Sequence, residues 1–320
     1  MTEIAIIALP FFGLILLGYG AGRSGRVGEE GAGGLKFFVG YLALPALFLQ
    51  IVAKSPFSDL TNWSFVLSTS FSTYCAFAIA FSLGALVNHG NIPGATIEGL
   101  AGSFGNIGLM APGLTLAAFG SAAAAPTALV FSFDSAMLVA LTPLMMTLGG
   151  TDRADGRAMA RTIGREIFLN PLILATLAGF ALSATGLALP GPVDALFSFL
   201  ASAAVPGALF VVGLNLAGRP LDRVTFDLPF LILIKLLVHP LIVYLLLSWI
   251  GGFNPVWVES AVLMAALPPA ADVLSIARTH RVSVSRASAA ILYGTAASVA
   301  TLIIALALIM GDRLPVDPFH

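Results

Sequence analysis

The sequence predicts an all-α integral membrane protein of ten transmembrane helices, arranged as two five-helix repeats of opposite orientation with one broken helix in each. Three observations lead there. Of the 320 residues 58% are hydrophobic, and only 15 Lys or Arg and 16 Asp or Glu are present. Such a chain cannot cover a soluble globule of its size with a polar skin, so its surface must face lipid. Ten apolar runs of the length that crosses a hydrocarbon core, about 20 residues, follow one another between charges and turn residues. Finally, Pro10 and Pro171, Gly18 and Gly179, and Pro45 and Pro206 all share an offset of 161 positions.

The first run, 4–22, follows Met-Thr-Glu without the basic start of a signal peptide. It ends in Gly-Tyr-Gly-Ala-Gly-Arg23 without a small-x-small cleavage site, so it is read as a helix and the mature chain as beginning near Met1. Runs 35–53, 63–87, 95–119 and 122–148 complete a first repeat over residues 1–150. A loop, 151–167, leads to the second repeat over 168–320, with runs 168–186, 193–217, 226–250, 256–278 and 285–310.

Lys and Arg collect on the cytoplasmic side of short connections. Taking alternate connections, one side holds Arg23, Arg26, Lys36, Arg153, Arg157, Arg161, Arg165, Arg219, Arg223, Arg278, Arg281 and Arg286, and the other only Lys54 and Arg313. This places both termini outside, loop 151–167 in the cytoplasm, and the protein as a multi-pass chain in the cytoplasmic (inner) membrane. The four loop arginines recur every fourth residue, which suits one stripe of a short helix lying on the membrane surface.

Composition also excludes classes of function. A net charge of −1 with no basic face offers nucleic acid no field. The single cysteine, Cys75, removes disulfide scaffolds, thiolate zinc sites and iron–sulfur clusters. No cofactor and no metal is expected.

A repeat of five helices is odd in number, so its second copy enters from the opposite side. Inverted repeats are an architecture of secondary transporters, which place discontinuous helices at equivalent positions near the midplane. Both halves carry a candidate in their fourth helix. The fourth run contains Gly99-Leu-Ala-Gly-Ser-Phe-Gly-Asn-Ile-Gly-Leu-Met-Ala-Pro-Gly113, and the ninth Met264-Ala-Ala-Leu-Pro-Pro-Ala-Ala-Asp272. Proline removes an amide donor and glycine lowers the cost of leaving helical geometry, so the breaks are expected at Pro112 with Gly108, and at Pro268 and Pro269.

With these segments in view the chain resembles the auxin efflux carrier family, which includes bacterial permeases described as malonate transporters. The resemblance rests on residues 37–48 with their Tyr-Leu-Ala-Leu-Pro-Ala core, on Gly105-Asn-Ile-Gly-Leu-Met-Ala-Pro-Gly113 running to Ala118-Phe-Gly120, on Asn170-Pro-Leu-Ile-Leu-Ala-Thr-Leu, and on Ala266-Leu-Pro-Pro-Ala-Ala. It implies the fold shared with bile acid sodium symporters. That fold has a scaffold from helices 1, 2, 6 and 7 and a transport domain from helices 3–5 and 8–10, which holds the crossed fourth and ninth helices. For chemistry it implies movement of small organic anions without ATP hydrolysis. The expected partners are a small carboxylate substrate and membrane lipid, with a homodimer left open. Coupling to H+, Na+ or the membrane potential is also open.

Five residues are expected at the substrate: Asn106, Gly108, Pro112, Pro268 and Pro269. Asn106 falls near mid-depth, and a carboxamide can donate to a carboxylate or accept from a protonated group. The alternative is an Asn that satisfies backbone groups freed by the break. Four further residues are candidates for coupling or ion binding, because ionisable groups inside a membrane are costly unless paired or used. Asp272 follows the two prolines by one turn, where it either titrates or caps the next half-helix; the family often has an amide there, so this chain departs from it. Asp134 stands halfway along the fifth helix, where it either pairs with Lys235 or shares the coupling role with Asp272. Lys235 either snorkels or attracts an anion, and His239 lies one turn further on the same face. Glu98 and Glu259 are expected to reach headgroups or solvent. A membrane-embedded acid–base enzyme using Asp134 and Asp272 is the competing class. The sequence has neither an intramembrane His-Glu-x-x-His nor a Gly-x-Gly-Asp stretch to support it.

Overall fold

Proline and asparagine set where the helices begin. The computed structural model describes residues 2–150, 161, 164–165, 169–218, 225–311, 313–316 and 318–319, with side chains from residue 6 onward. Among the described residues the regular elements are helical. They are α1 Thr2–Arg23, α2 Glu29–Phe38, α3 Leu44–Ala53, α4 Phe57–Leu60, α5 Trp63–Val87, α6 Ile92–Ser103, α7 Ile107–Phe119, α8 Ala124–Leu148, α9 Pro171–Thr185, α10 Gly191–Ala217, α11 Leu228–Leu233, α12 His239–Ile250, α13 Pro255–Ala265, α14 Asp272–His280 and α15 Val284–Met310.

Asn91, Asn170 and Asn254 precede α6, α9 and α13, and each side-chain oxygen accepts from a backbone N–H in the first turn. A proline sits within the first two positions of each of these helices, where its missing N–H would have had no intrahelical partner anyway. Two wider turns have the converse cause. Val39–Ala43 joins α2 to α3 and Ile234–Val238 joins α11 to α12, both as π turns, and each stands just before a proline, Pro45 and Pro240. Such a proline cannot donate to the carbonyl four residues back, and its ring pushes that carbonyl aside.

Among the described residues, seven helical stretches are long and apolar enough to cross a membrane: Ile6–Arg23, Glu29–Ala53, Phe57–Val87, Ile107–Leu148, Gly191–Ala217, Leu228–Ile250 and Val284–Met310. Pro171–Thr185 and Pro255–Ala265 are shorter apolar helices. The separate fourth and fifth runs of the sequence reading are thus partly merged, because a 3-10 turn at Gly120–Ala123 carries α7 into α8 without a loop. Leu9, Leu16, Leu86, Phe199 and Trp249 are among many large apolar side chains left exposed, as a multi-pass protein in lipid requires. Of the arginine stripe in loop 151–167, Arg153 and Arg157 lie outside the described residues, and Arg161 and Arg165 are helical and exposed.

The chain divides into two compact units. The first comprises Met1–Trp63, Gly108–Ser132 and Phe168–Arg219, and the second Ser64–Ile107, Phe133–Ile167 and Pro220–His320. In the first unit α1 packs along α10 and α9 along α3. Gly18 abuts the Phe210 backbone and Gly213 the backbone of Ile15 and Tyr19, so a Cβ at either glycine would overlap main-chain atoms. Gly179 meets Val52 and the Leu49 carbonyl in the same manner. The second unit has a core of Phe77, Ile97, Leu100, Leu231, Val273 and Ile291.

The first break does not fall at Pro112. The fourth run is interrupted at residues 104–106, and Gly108 and Pro112 lie inside α7. An unwound segment in lipid needs partners for its N–H and C=O groups, and these exist at 104–106. At Pro112 the helix continues, and the cost is confined to one lost N–H donation toward Gly108, whose lack of a side chain leaves the turn uncrowded. The second break falls where it was expected, with α13 ending at Ala265 and α14 starting at Asp272.

Candidate functional site

The two breaks meet inside the second unit. Asn106 N donates to Pro268 O at 2.8 Å and Ala270 N to Phe104 O at 2.9 Å. These bonds bracket an antiparallel bridge between Gly105 and Pro269. Gly105 and Pro269 occupy the non-hydrogen-bonded pair of this short ladder, the position where a proline forfeits no bond. Glycine is needed opposite it. A Cβ on Gly105 would lie 3.2 Å from Met264 O and 3.4 Å from Lys235 Nζ. Pro269 in turn fits against Gly294, where a Cβ would come within 2.7 Å of its ring.

This pairing satisfies the interrupted backbones mutually, so the Asn106 side chain is not spent on them. Asn106 is 7% exposed, and no described residue hydrogen-bonds its carboxamide. Its carboxamide is not among the fully enclosed unpartnered atoms, so water or a ligand can engage it. Gly108 and Pro112, expected beside it, belong to α7 instead, and Gly108 faces the Phe131 ring at contact distance.

Lys235 lies beneath the crossing. Its side chain is fully buried rather than snorkelling, and Nζ donates to Ala265 O at 2.5 Å. That carbonyl ends α13, so the ammonium supplies both a partner for an orphan acceptor and a positive charge at the negative end of the half-helix. The same Nζ is 3.3 Å from His239 Nδ1, the i,i+4 neighbour across the π turn. His239 Nε2 is 3.4 Å from Thr73 Oγ1, and Thr73 Oγ1 is 3.2 Å from Asp134 Oδ2. Asp134 is 5% exposed, and among the described residues its Oδ1 has no hydrogen-bond partner. Of the two alternatives for Asp134, the direct pair with Lys235 is therefore not formed. The π turn and the α5 register put His239 and Thr73 between them, and the four groups form a buried row.

Asp272 stands apart from this row. It is exposed at the first position of α14, the N-cap is Ala271, and no side-chain cap bond forms. Its carboxylate still complements the helix N-terminus through charge. Glu98 also departs from expectation. It is buried, pairs with Arg286, and accepts from Asn88 Nδ2 at 2.8 Å. Arg286 donates to Asn88 Oδ1 at 2.5 Å and lies 3.7 Å from buried Asp227. Glu259 is half-buried.

Sequence reading missed Thr73, whose neighbours Thr69 and Ser72 mark a polar stripe at helical spacing on α5. It also missed Gln50 in the first unit, whose Nε2 donates to Asp194 and Ser198. Gln50, Lys54, Ser55, Asp59 and Ser121 line a cavity of about 580 Å³ in that unit, which holds none of the expected site residues.

Known proteins resemble the chain over nearly its whole length. A family described as membrane transport protein matches residues 4–151 and 146–306. A protein of Rhizobium meliloti (strain 1021) named "Putative malonate transporter" is 42% identical over 319 residues, covering 100% of both chains. An "Uncharacterized transporter" of Methanothermobacter thermautotrophicus is 26% identical over 294 residues, which is 90% of this chain and 93% of that protein.

Proposed function

The chain belongs to the membrane transport protein family, the auxin efflux carriers, and from that premise we propose that it is a secondary transporter of small organic anions. The substrates are mono- or dicarboxylates of malonate- or auxin-like size, carried across the cytoplasmic membrane by alternating access. The observation that carries this reading is the crossing itself: two interrupted helices pair backbone to backbone and leave the side chain of Asn106, a residue 7% exposed, unspent on their broken ends. An amide N–H pair there matches the acceptor oxygens of a carboxylate, and Lys235 beneath Gly105 supplies positive charge. The name of the Rhizobium relative supports malonate as the first substrate to test.

The ten-helix, inverted-repeat arrangement is part of the proposal. Its support is that the two glycines of one pair at the 161-residue offset, Gly18 and Gly179, each make a close helix contact with the opposite half, α1 on α10 and α9 on α3. Its further support is that α6 with α7, and α13 with α14, are interrupted in each half. The orientation, with both termini outside, rests on the arginine and lysine distribution.

Counterflow of labelled malonate and other short carboxylates in proteoliposomes, with pH and sodium varied independently, tests the function. Saturable exchange of at least one carboxylate is expected. No exchange of any short carboxylate by correctly folded protein would reject the reading, and exchange that requires sodium would favour a symporter of the bile-acid type.

A further inference from the structure

The geometry points to a proton relay, Lys235–His239–Thr73–Asp134, through which the charge beneath the crossing is switched, making the proton the coupling ion; this rests on the transport reading above. The direction of each bond follows from what the groups can donate. A charged Lys235 has only donors, so His239 Nδ1 accepts from it and Nε2 carries the ring proton. Nε2–H then donates to Thr73 Oγ1, and the single Thr73 hydrogen is shared toward Asp134 Oδ2 and the Thr69 carbonyl, both at 3.2 Å. Every link thus points the same way, from the lysine toward the carboxylate.

One concerted shift along the row is balanced. A proton leaves Lys235 Nζ for His239 Nδ1, the Nε2 proton moves to Thr73 Oγ1, and the Thr73 proton moves to Asp134 Oδ2. The products are a neutral amine, the other neutral imidazole tautomer, an intact hydroxyl and a carboxylic acid. The shift exchanges no proton with either side by itself, but the site beneath Gly105 goes from positive to neutral; loss of the Asp134 proton to one side and uptake of a proton by Lys235 from the other restore the charges of the starting row and move one proton per cycle. A positive Nζ favours a carboxylate at Asn106, and a neutral one releases it, so proton position and anion affinity are linked. Asp134 Oδ1, buried and unpartnered, is the one acceptor of the row with no bond to break when a proton enters or leaves.

The surrounding elements leave the row to itself. α5 adds Tyr74, which is exposed, and Cys75 beside Thr73. α13 adds the Ala265 carbonyl and, six residues earlier, Glu259. α6 and α15 pack on the π turn and bring Glu98 and Arg286, already bonded to each other, with Tyr293 half-buried. A relay also explains why two opposite buried charges are separated by two neutral hydrogen-bonding groups, where a structural ion pair would be in contact.

The test uses Thr73→Val, which keeps shape and removes the only hydroxyl link, and Thr73→Ser, which restores it. In proteoliposomes the wild type should accumulate malonate against an imposed pH gradient, Thr73→Val should lose at least tenfold of that accumulation while malonate counterflow remains detectable, and Thr73→Ser should recover the accumulation. Counterflow without any pH-gradient response in the wild type, or a full response in Thr73→Val, would overturn the relay and leave the transport reading standing. Infrared difference spectroscopy of the reconstituted protein on acidification needs no substrate. It should show a carboxylic-acid band that vanishes in Asp134→Asn and shifts in Thr73→Val. Absence of that band in the wild type would overturn the relay even if malonate is not carried.

Discussion

Asn106 and the acids around the crossing differ in what the fold asks of them. The Asn106 backbone N–H is already bonded to Pro268 O, so truncating its side chain should leave the crossing intact. Hydrogen bonds to a charged group are worth about 1.5–3 kcal/mol. Asn106→Ala should therefore weaken the apparent affinity for a carboxylate on the order of ten- to a hundredfold, with normal expression, as read by counterflow at varied substrate concentration. Wild-type affinity would reduce Asn106 to a filler. At Asp272 no cap bond exists to lose, so Asp272→Asn should fold and keep the response to a pH gradient that Asp134→Asn loses. The reverse result would move the coupling carboxylate to α14. Arg286 is the opposite case, because Glu98 and Asp227 are both buried around it. Removing the single cation of such a group typically costs about 3–5 kcal/mol. Arg286→Met should lower the thermal midpoint of the detergent-solubilised protein sharply, and Glu98→Gln in the same chain should recover part of it.

Among the elements, the interrupted helices carry the most information about how function and fold are joined. α6 and α13 end where their last carbonyls find partners from outside their own helices: Phe104 O from Ala270 N, and Ala265 O from Lys235. A side chain at Gly105 would press on Met264 O and on Lys235 Nζ together. Gly105→Val should therefore abolish counterflow while leaving the membrane-inserted, helical protein detectable by circular dichroism. If the variant transports normally, the two segments are not in contact during the cycle. The π turns belong to the same logic. By adding a residue to the turn before Pro240, the chain sets Lys235 and His239 within 3.3 Å of one another, and both within the row that ends at Asp134.

For the whole molecule, orientation is the property most open to direct measurement. A cysteine placed at position 154, outside the described residues, should be labelled only from the cytoplasmic side, and one at Pro190, before α10, only from outside. Labelling from one side at both would reject an odd number of crossings between them. Membrane residence, the ten apolar runs, the charge asymmetry and the second break at Pro268 and Pro269 were legible in the sequence alone, because each depends on the composition of one short window or on a residue that no helix interior accepts easily. The first break was not legible. Pro112 is the stronger local breaker, yet the chain unwinds six residues or more before it, since residues 268–270 offer backbone partners at 104–106 and nowhere else along α7. Nor could spacing show that Asp134 meets Lys235 only through Thr73 and His239, or that Glu98 is buried against Arg286. Hydrophobicity acts locally and so is written locally, whereas hydrogen bonds between residues more than 150 positions apart exist only once the helices have packed.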